Sequence, residues 1–297
     1  GELRSAGDSL IAKRQDLWWA YQFRGIAKAR GAQPDKAGAL DDFDAGLIVA
    51  AGQNDANGVE TMVRTVVGEI GAAQARVLVA PVAAKESRWG LLLAVLARAD
   101  GDGPGAFKLV DKMLMDRQLP AERRAAALKM VAIWYVIAKP PDIAKTIAAY
   151  RSVLELAPDD STVLNNLACL LIEPGPTCKP KEALGYSQRA YGLMKQANVE
   201  DPNVLDTHGW ILVCNNRVED GINLLRRSVQ KKPLPEGFYH LGEAYLKLNP
   251  SSPADAEHEL ALGLQMIRDA EKAGKPVDPT LTGRIEDSLK RARAAKN

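Results

Sequence analysis

Apolar and small residues recur along this chain at the 3.6-residue spacing of amphipathic helices. Leu10, Ile11, Leu17, Trp18, Tyr21, Phe23 and Ile26 give one helix-like pattern over 8–30, which Gly31 and Pro34 break. Segments 36–51 and 59–70 predict two further helices around a polar, glycine-bounded loop at 52–58. Segment 76–85 is ambiguous. Val77-Leu78-Val79 has strand propensity, yet an isolated strand has nothing to pair with. These pieces read as divergent helical hairpins.

From residue 87 a longer period appears. Five segments place a small residue between large apolar ones, at positions 94, 134, 168, 209 and 242, with Trp134 as the one large occupant. Successive spacings are 40, 34, 41 and 33 residues. Roughly twelve residues after each comes a second pattern, small-x3-large-x2-small. It reads Ala106-Val110-Met113, Thr146-Tyr150-Val153, Ala183-Ser187-Ala190, Gly221-Leu225-Ser228 and Ala256-Leu260-Gly263. Pro158 and Pro233 follow two of these helices. Small residues let two helix backbones approach, large ones fill the gap to the next pair, and proline stops the helix. One such pair cannot bury its apolar face alone, so several must stack.

Leu241-Gly242-Glu243-Ala244-Tyr245 matches the L-G-x2-Y core of a tetratricopeptide helix A. His208-Gly209-Trp210-Ile211-Leu212 and Leu167-Ala168-Cys169-Leu170-Leu171 have the same form, and the segments at 133–137 and 93–97 are looser copies. Residues 127–265 thus resemble four consecutive tetratricopeptide repeats of bacterial type, and 87–120 a degenerate fifth. The resemblance implies an all-α fold, a right-handed superhelical solenoid of antiparallel helix pairs. It divides the chain into divergent hairpins at 1–86, five repeat units at 87–273, and a basic capping helix at 274–297. Loops at 173–180 and 194–201 read as tolerated insertions.

Hydrophobic residues make up 46% and charged residues 26%, ordinary for a folded domain. A net charge of +2 gives no reason to expect nucleic acid or anionic lipid as a partner. No apolar run reaches the ~18 residues that span a bilayer. The start, Gly1-Glu2-Leu3-Arg4, has neither an initiator Met nor a signal-peptide pattern and reads as a mature fragment or trimmed piece, so localisation stays open. Cys169, Cys178 and Cys214 carry no zinc spacing and read as ordinary thiols. In an oxidising compartment Cys169–Cys178 or Cys169–Cys214 are the candidate pairs.

Phosphate-loop, dinucleotide, nucleophile-elbow and H-E-x-x-H motifs are lacking from the sequence. The glycine-rich 101–105 stretch reads as a turn. His208 and His240 fall on neighbouring helices and read as packed or groove-edge residues. Asp41-Asp42-Phe43-Asp44 reads as a solvated helix start. Trp18-Trp19 reads as one packed and one half-exposed ring. The chain is therefore expected to be non-catalytic, with no cofactor and no metal.

The resemblance also implies where a partner would lie. In tetratricopeptide arrays the concave groove is lined by helix A at set offsets from its small residue. Carried onto this chain, the offsets select Tyr135, Lys139, Asn165, Asp206, Trp210, Tyr239, Glu243 and Lys247, with Arg98, Val131, Cys169 and Cys214 beside them. The mixture of aromatics, carboxylates and amines suits a protein or peptide ligand held by side chains. Val131, Tyr135, Asn203 and Thr207 stand where a chaperone-type carboxylate clamp needs basic and Asn residues, so that mode is rejected. The expected function is a scaffold or adaptor. The alternatives are a self-assembling structural solenoid, or a helper region of a larger protein. The 206–210 stretch resembles bacterial repeat proteins, including export- and exopolysaccharide-related ones, and the trimmed start suggests the last alternative. Oligomeric state is left open.

Overall fold

The structure is a computed structural model that describes residues 2–53, 55–248 and 250–296. Gly1, from the chain start, and Asn54, from the 52–58 loop, lie outside them. Among the described residues the regular elements are all helical, as the repeat spacing predicts. The chain divides into two compact units, 1–158 and 159–297. The division falls inside the stretch expected to hold five repeat units.

The first unit contains α1 (Glu2–Lys13), α2 (Trp18–Ala29), α3 (Lys36–Gly52), α4 (Ala56–Glu69), α5 (Ala72–Lys85), α6 (Gly90–Ala99), α7 (Gly103–Met115), α8 (Ala121–Val136) and α9 (Ile143–Leu156). The single pattern expected over 8–30 is two helices, broken at Arg14-Gln15-Asp16, where the Arg14 guanidinium pairs with the Asp16 carboxylate. The ambiguous 76–85 stretch is helical and carries Pro81 inside α5. Aspartate begins many of the helices. Asp35, Asp55, Asp102 and Asp142 each accept a hydrogen bond from the backbone N–H three residues on.

Asp42 and Asp44 correct the expectation of a solvated acidic start. Both sit within α3 and are buried. Arg24 and Lys28 of α2 contact the Asp42 carboxylate at 2.6 and 2.9 Å, and Arg123 of α8 reaches Asp44 at 2.9 Å. Lys129 of α8 also donates to the Gly52 carbonyl at the end of α3. A simple hairpin stack joins each pair only to the next, but here α3 packs forward on α8, past four intervening helices. Phe43, Leu47, Met62, Leu91, Leu96, Met113 and Met130 form the core around this contact.

The second unit contains α10 (Ser161–Ile172), α11 (Pro180–Gln196), α12 (Pro202–Cys214), α13 (Val218–Lys231), α14 (Pro235–Lys247), α15 (Pro253–Lys272) and α16 (Pro279–Ala294). Five of the seven open with proline in the first turn, where its missing N–H costs nothing. The exception among those after α10 is α13, with Glu219 and Asp220 in its first turn. Helices pair as α10 with α11, α12 with α13 and α14 with α15, and α16 packs on α15 and α14.

In both units the two repeated patterns are the packing seams. Ala94, Trp134, Ala168, Gly209 and Gly242 are buried, and so is each small-large-small set of the second helices. The closest backbone approach lies between α12 and α13. A Cβ on Gly221 would sit 2.6 Å from the Gly209 carbonyl oxygen, and one on Gly209 3.0 Å from the Gly221 carbonyl oxygen. Glycine is needed at both positions to keep this distance.

Candidate functional site

The first helices of three successive pairs, α10, α12 and α14, line a cleft of about 260 Å³ in the second unit. Asn165 lies on α10, Asp206 and Trp210 on α12, and Gly237 and His240 on α14. Adjacent helices are tied by polar contacts: Cys169 Sγ lies 3.1 Å from Thr207 Oγ1, and Asp206 Oδ2 accepts at 3.0 Å from His240 Nδ1. Asp206 and His240 are 34 residues apart, one repeat period.

Trp210 forms one wall. His240 stacks on its ring at 4.6 Å and 12°, Tyr239 sits at 6.3 Å, and the Lys247 ammonium lies 5.0 Å from the ring centre. Two oxygens facing this region have no hydrogen-bond donor: Asn165 Oδ1, on a side chain 8% exposed, and Asp206 Oδ1. A Cβ on Gly237 would stand 3.1 Å from Val229 Cγ1 and 3.5 Å from Asp206 Oδ1, so a side chain here would crowd that oxygen.

Burial works against the charge of His240, but the charge and hydrogen bond of Asp206, with Glu236 and Glu173 further off, outweigh it and raise its pKa. His208 behaves oppositely. It lies behind the cleft, stacked on Tyr191 at 4.9 Å and hydrogen-bonded to Ser187 Oγ at 3.0 Å. Burial, helped by the charge of Arg217, lowers its pKa to about 4. Burial also pushes the Cys169 thiol up to about 12 and raises Tyr239. The Cys169 side chain is thus a neutral packing group, not a nucleophile. Cys169, Cys178 and Cys214 are all free thiols.

The sequence-selected residues divide by place. Asn165, Asp206 and Trp210 line this cleft, and Tyr239 and Lys247 lie against the Trp210 ring. Glu243 is buried, and its carboxylate accepts hydrogen bonds from Ser288 at 2.5 Å and from Arg291, both on α16. Tyr135 and Lys139 belong to the first unit. The Tyr135 ring stacks on Phe107 at 5.0 Å beneath the Lys145 ammonium, while Lys139 is exposed. Arg98 lies 5.2 Å from the Trp134 ring. The offset rule missed His240, Glu173 and Gly237. His240 was findable: it stands one period after Asp206 in the chain, on the face that meets the previous helix.

Among the described residues, no helix is long and apolar enough to cross a membrane and no cluster of three His, Cys, Asp or Glu residues could hold a metal ion. Trp18 and Trp19 are both half-buried. The Trp18 indole N–H donates to Asp55 at 3.0 Å, and Trp19 packs edge-on to Phe23.

No family model matches the chain. A TPR repeat-containing protein of Pseudomonas aeruginosa is 32% identical over 102 residues, which is 34% of this chain and 16% of that protein. The Cut9–Hcn1 hetero-tetramer of the APC/C has a chain that matches 96% of this one at a TM-score of 0.51 and 12% identity, with 54% of that chain covered. PilW, a widely conserved type IV pilus biogenesis factor, gives a TM-score of 0.49 at 18% identity, over 71% of this chain and 89% of its own. The buried seam residues and their period agree with the first two of these likenesses: the chain has an all-α fold of antiparallel helix pairs similar to tetratricopeptide repeats.

Proposed function

We propose that the second unit docks an extended segment of a partner protein along α10, α12 and α14, and that the chain acts as a non-catalytic scaffold or adaptor. The observation that carries this reading is the cleft itself. It combines the half-buried Trp210, which has Tyr239 beside its ring, with acceptors that lack donors, Asn165 Oδ1 and Asp206 Oδ1. Aromatic rings supply contact area at little entropic cost, and unpaired buried acceptors favour a ligand that brings N–H groups. The repeat relatives support a binding role in general and name no partner for this chain.

Of the sequence-selected residues, the proposal assigns Trp210 and Tyr239 as anchors, Asn165 and Asp206 as polar contacts, and Lys247 as a rim charge. Glu243 is assigned to holding α16. The test is capture of partners by the tagged chain, repeated with Trp210→Ala plus Tyr239→Ala after circular dichroism has shown the helical content unchanged. Loss of a specific partner is expected. Retention of every partner by the double variant sinks the reading.

A further inference from the structure

The chemistry of the cleft also points to which side chain the partner inserts, an inference that rests on the docking role above. Three observations converge. First, Asn165 is more than nine-tenths buried, yet its Oδ1 accepts no hydrogen bond, and Asp206 Oδ1, a buried atom on a side chain 20% exposed, accepts none either. An unmet buried acceptor costs about 1–3 kcal/mol, more for a charged one. Second, Gly237 lines the cleft without a side chain, and a Cβ there would stand 3.5 Å from Asp206 Oδ1 and 3.1 Å from Val229 Cγ1. Third, the rim already holds a guanidinium. Arg284 of α16 reaches Glu173, 111 residues away in sequence, at 3.5 Å, and Glu236, exposed at the same mouth, has no ion pair among the described residues.

We infer that the cleft is a pocket for a cationic side chain, the lysine ammonium or arginine guanidinium of the docked segment. Such a group brings several N–H donors together with a positive charge. A primary amide also carries two donors, but only a cation brings them with a positive charge that offsets the Asp206 carboxylate. Lys232, on the cleft wall, is exposed and donates to Asn203 Oδ1 at 3.5 Å, and it meets neither of the two unmet oxygens. The His240 ring is spent on Asp206 Oδ2 and leaves Oδ1 to the ligand.

The test uses the full chain, labelled with nitrogen-15, and a capped alanine pentapeptide with a central lysine. Matched peptides carry arginine, norleucine or glutamate at that place. The Trp210 indole and Gly237 amide signals are followed. The lysine and arginine peptides are expected to shift both signals saturably, and the norleucine peptide to bind about ten-fold more weakly or worse. Asp206→Asn keeps an acceptor for His240 and should cost a similar factor. Gly237→Ala adds a methyl 3.5 Å from Asp206 Oδ1 and favours the helix, so it should block binding in a chain that still folds. Equal binding of the norleucine or glutamate peptide, silence of both signals with the cationic peptides, or indifference to both substitutions would each overturn the inference. A captured partner that is lost with Trp210→Ala but keeps its affinity when its own lysines and arginines are replaced would leave docking standing and remove this inference alone.

Discussion

The Asp206 carboxylate holds the buried His240 imidazole through a 3.0 Å hydrogen bond, and its charge outweighs the burial that would otherwise keep the ring neutral. The folded-state pKa of His240 is therefore above its unfolded value of about 6.5. Its contribution to stability is complete below that pH and is lost as pH rises through the folded pKa. Asp206→Asn removes the charge and leaves burial dominant. The expected outcome is a fall in the His240 pKa to below the ordinary histidine value, read by an NMR titration of the ring, and the disappearance of this loss on the alkaline side.

His208 should act in the opposite direction. Its folded pKa of about 4 means the folded chain binds fewer protons than the unfolded one between pH 4 and 6.5. Stability should fall as pH drops through that window, by about 2–3 kcal/mol. In His208→Phe the slope should vanish, while Ser187 keeps its hydrogen bond to the Leu184 carbonyl. Denaturant midpoints measured at several pH values between 4 and 7 check this. An unchanged slope in the variant would assign the acid sensitivity elsewhere.

Gly221→Ala should be one of the most damaging single methyl additions in the second unit. The new carbon would meet the Gly209 carbonyl at 2.6 Å and Val213 Cγ2 at 2.5 Å, so α12 and α13 must separate. Overpacking of this kind costs about 1–3 kcal/mol. Gly192→Ala, with nothing near its added carbon, is the control and should be neutral or stabilising.

How far the residues reveal all this depends on what kind of order they carry. The repeat is periodic, and packing at Gly209, Gly221 and Leu260 demands the same residue types every time, so the pattern is visible without coordinates. Charge pairing has no period. Asp42 finds Arg24 and Lys28 on the preceding helix, and Asp44 finds Arg123 79 residues on, so an acidic run that reads as a wet helix start is a buried ionic layer. Glu243 shows a related failure. Its offset on α14 is a groove position in an open array, but α16 comes later in the chain and covers it. Asp206 and Trp210 keep their cleft positions, where the neighbouring α14 packs on them through His240.

Glu243→Gln follows from that covering. The buried carboxylate gathers Ser288 and Arg291, and hydrogen bonds to a charged group contribute about 1.5–3 kcal/mol. The expected result is faster amide hydrogen exchange throughout α16, with the exchange of α12 unchanged. Equal acceleration in both helices would mean that α16 does not loosen separately.

In the first unit, Asp42→Ala leaves Arg24 with the exposed Asp8 and Lys28 with the Gly38 carbonyl, though their side chains are only 22% and 14% exposed. Removing one partner of a largely buried ionic cluster typically costs about 3 kcal/mol or more. Asp42→Asn, which can still accept from Arg24, should cost less. Equilibrium unfolding in urea, followed by helical circular dichroism, ranks the three proteins.

The forward reach of α3 to α8 has a consequence in time. The ribosome makes α3 first, and the Asp44–Arg123 pair must wait for 79 more residues. At about 5–20 residues per second that is on the order of 4–16 s. A stack of neighbours could settle pair by pair as it emerges. Here the face of α3 that receives α8 stays uncovered through the synthesis of four further helices, so the first unit reaches its final packing only once Arg123 has left the exit tunnel.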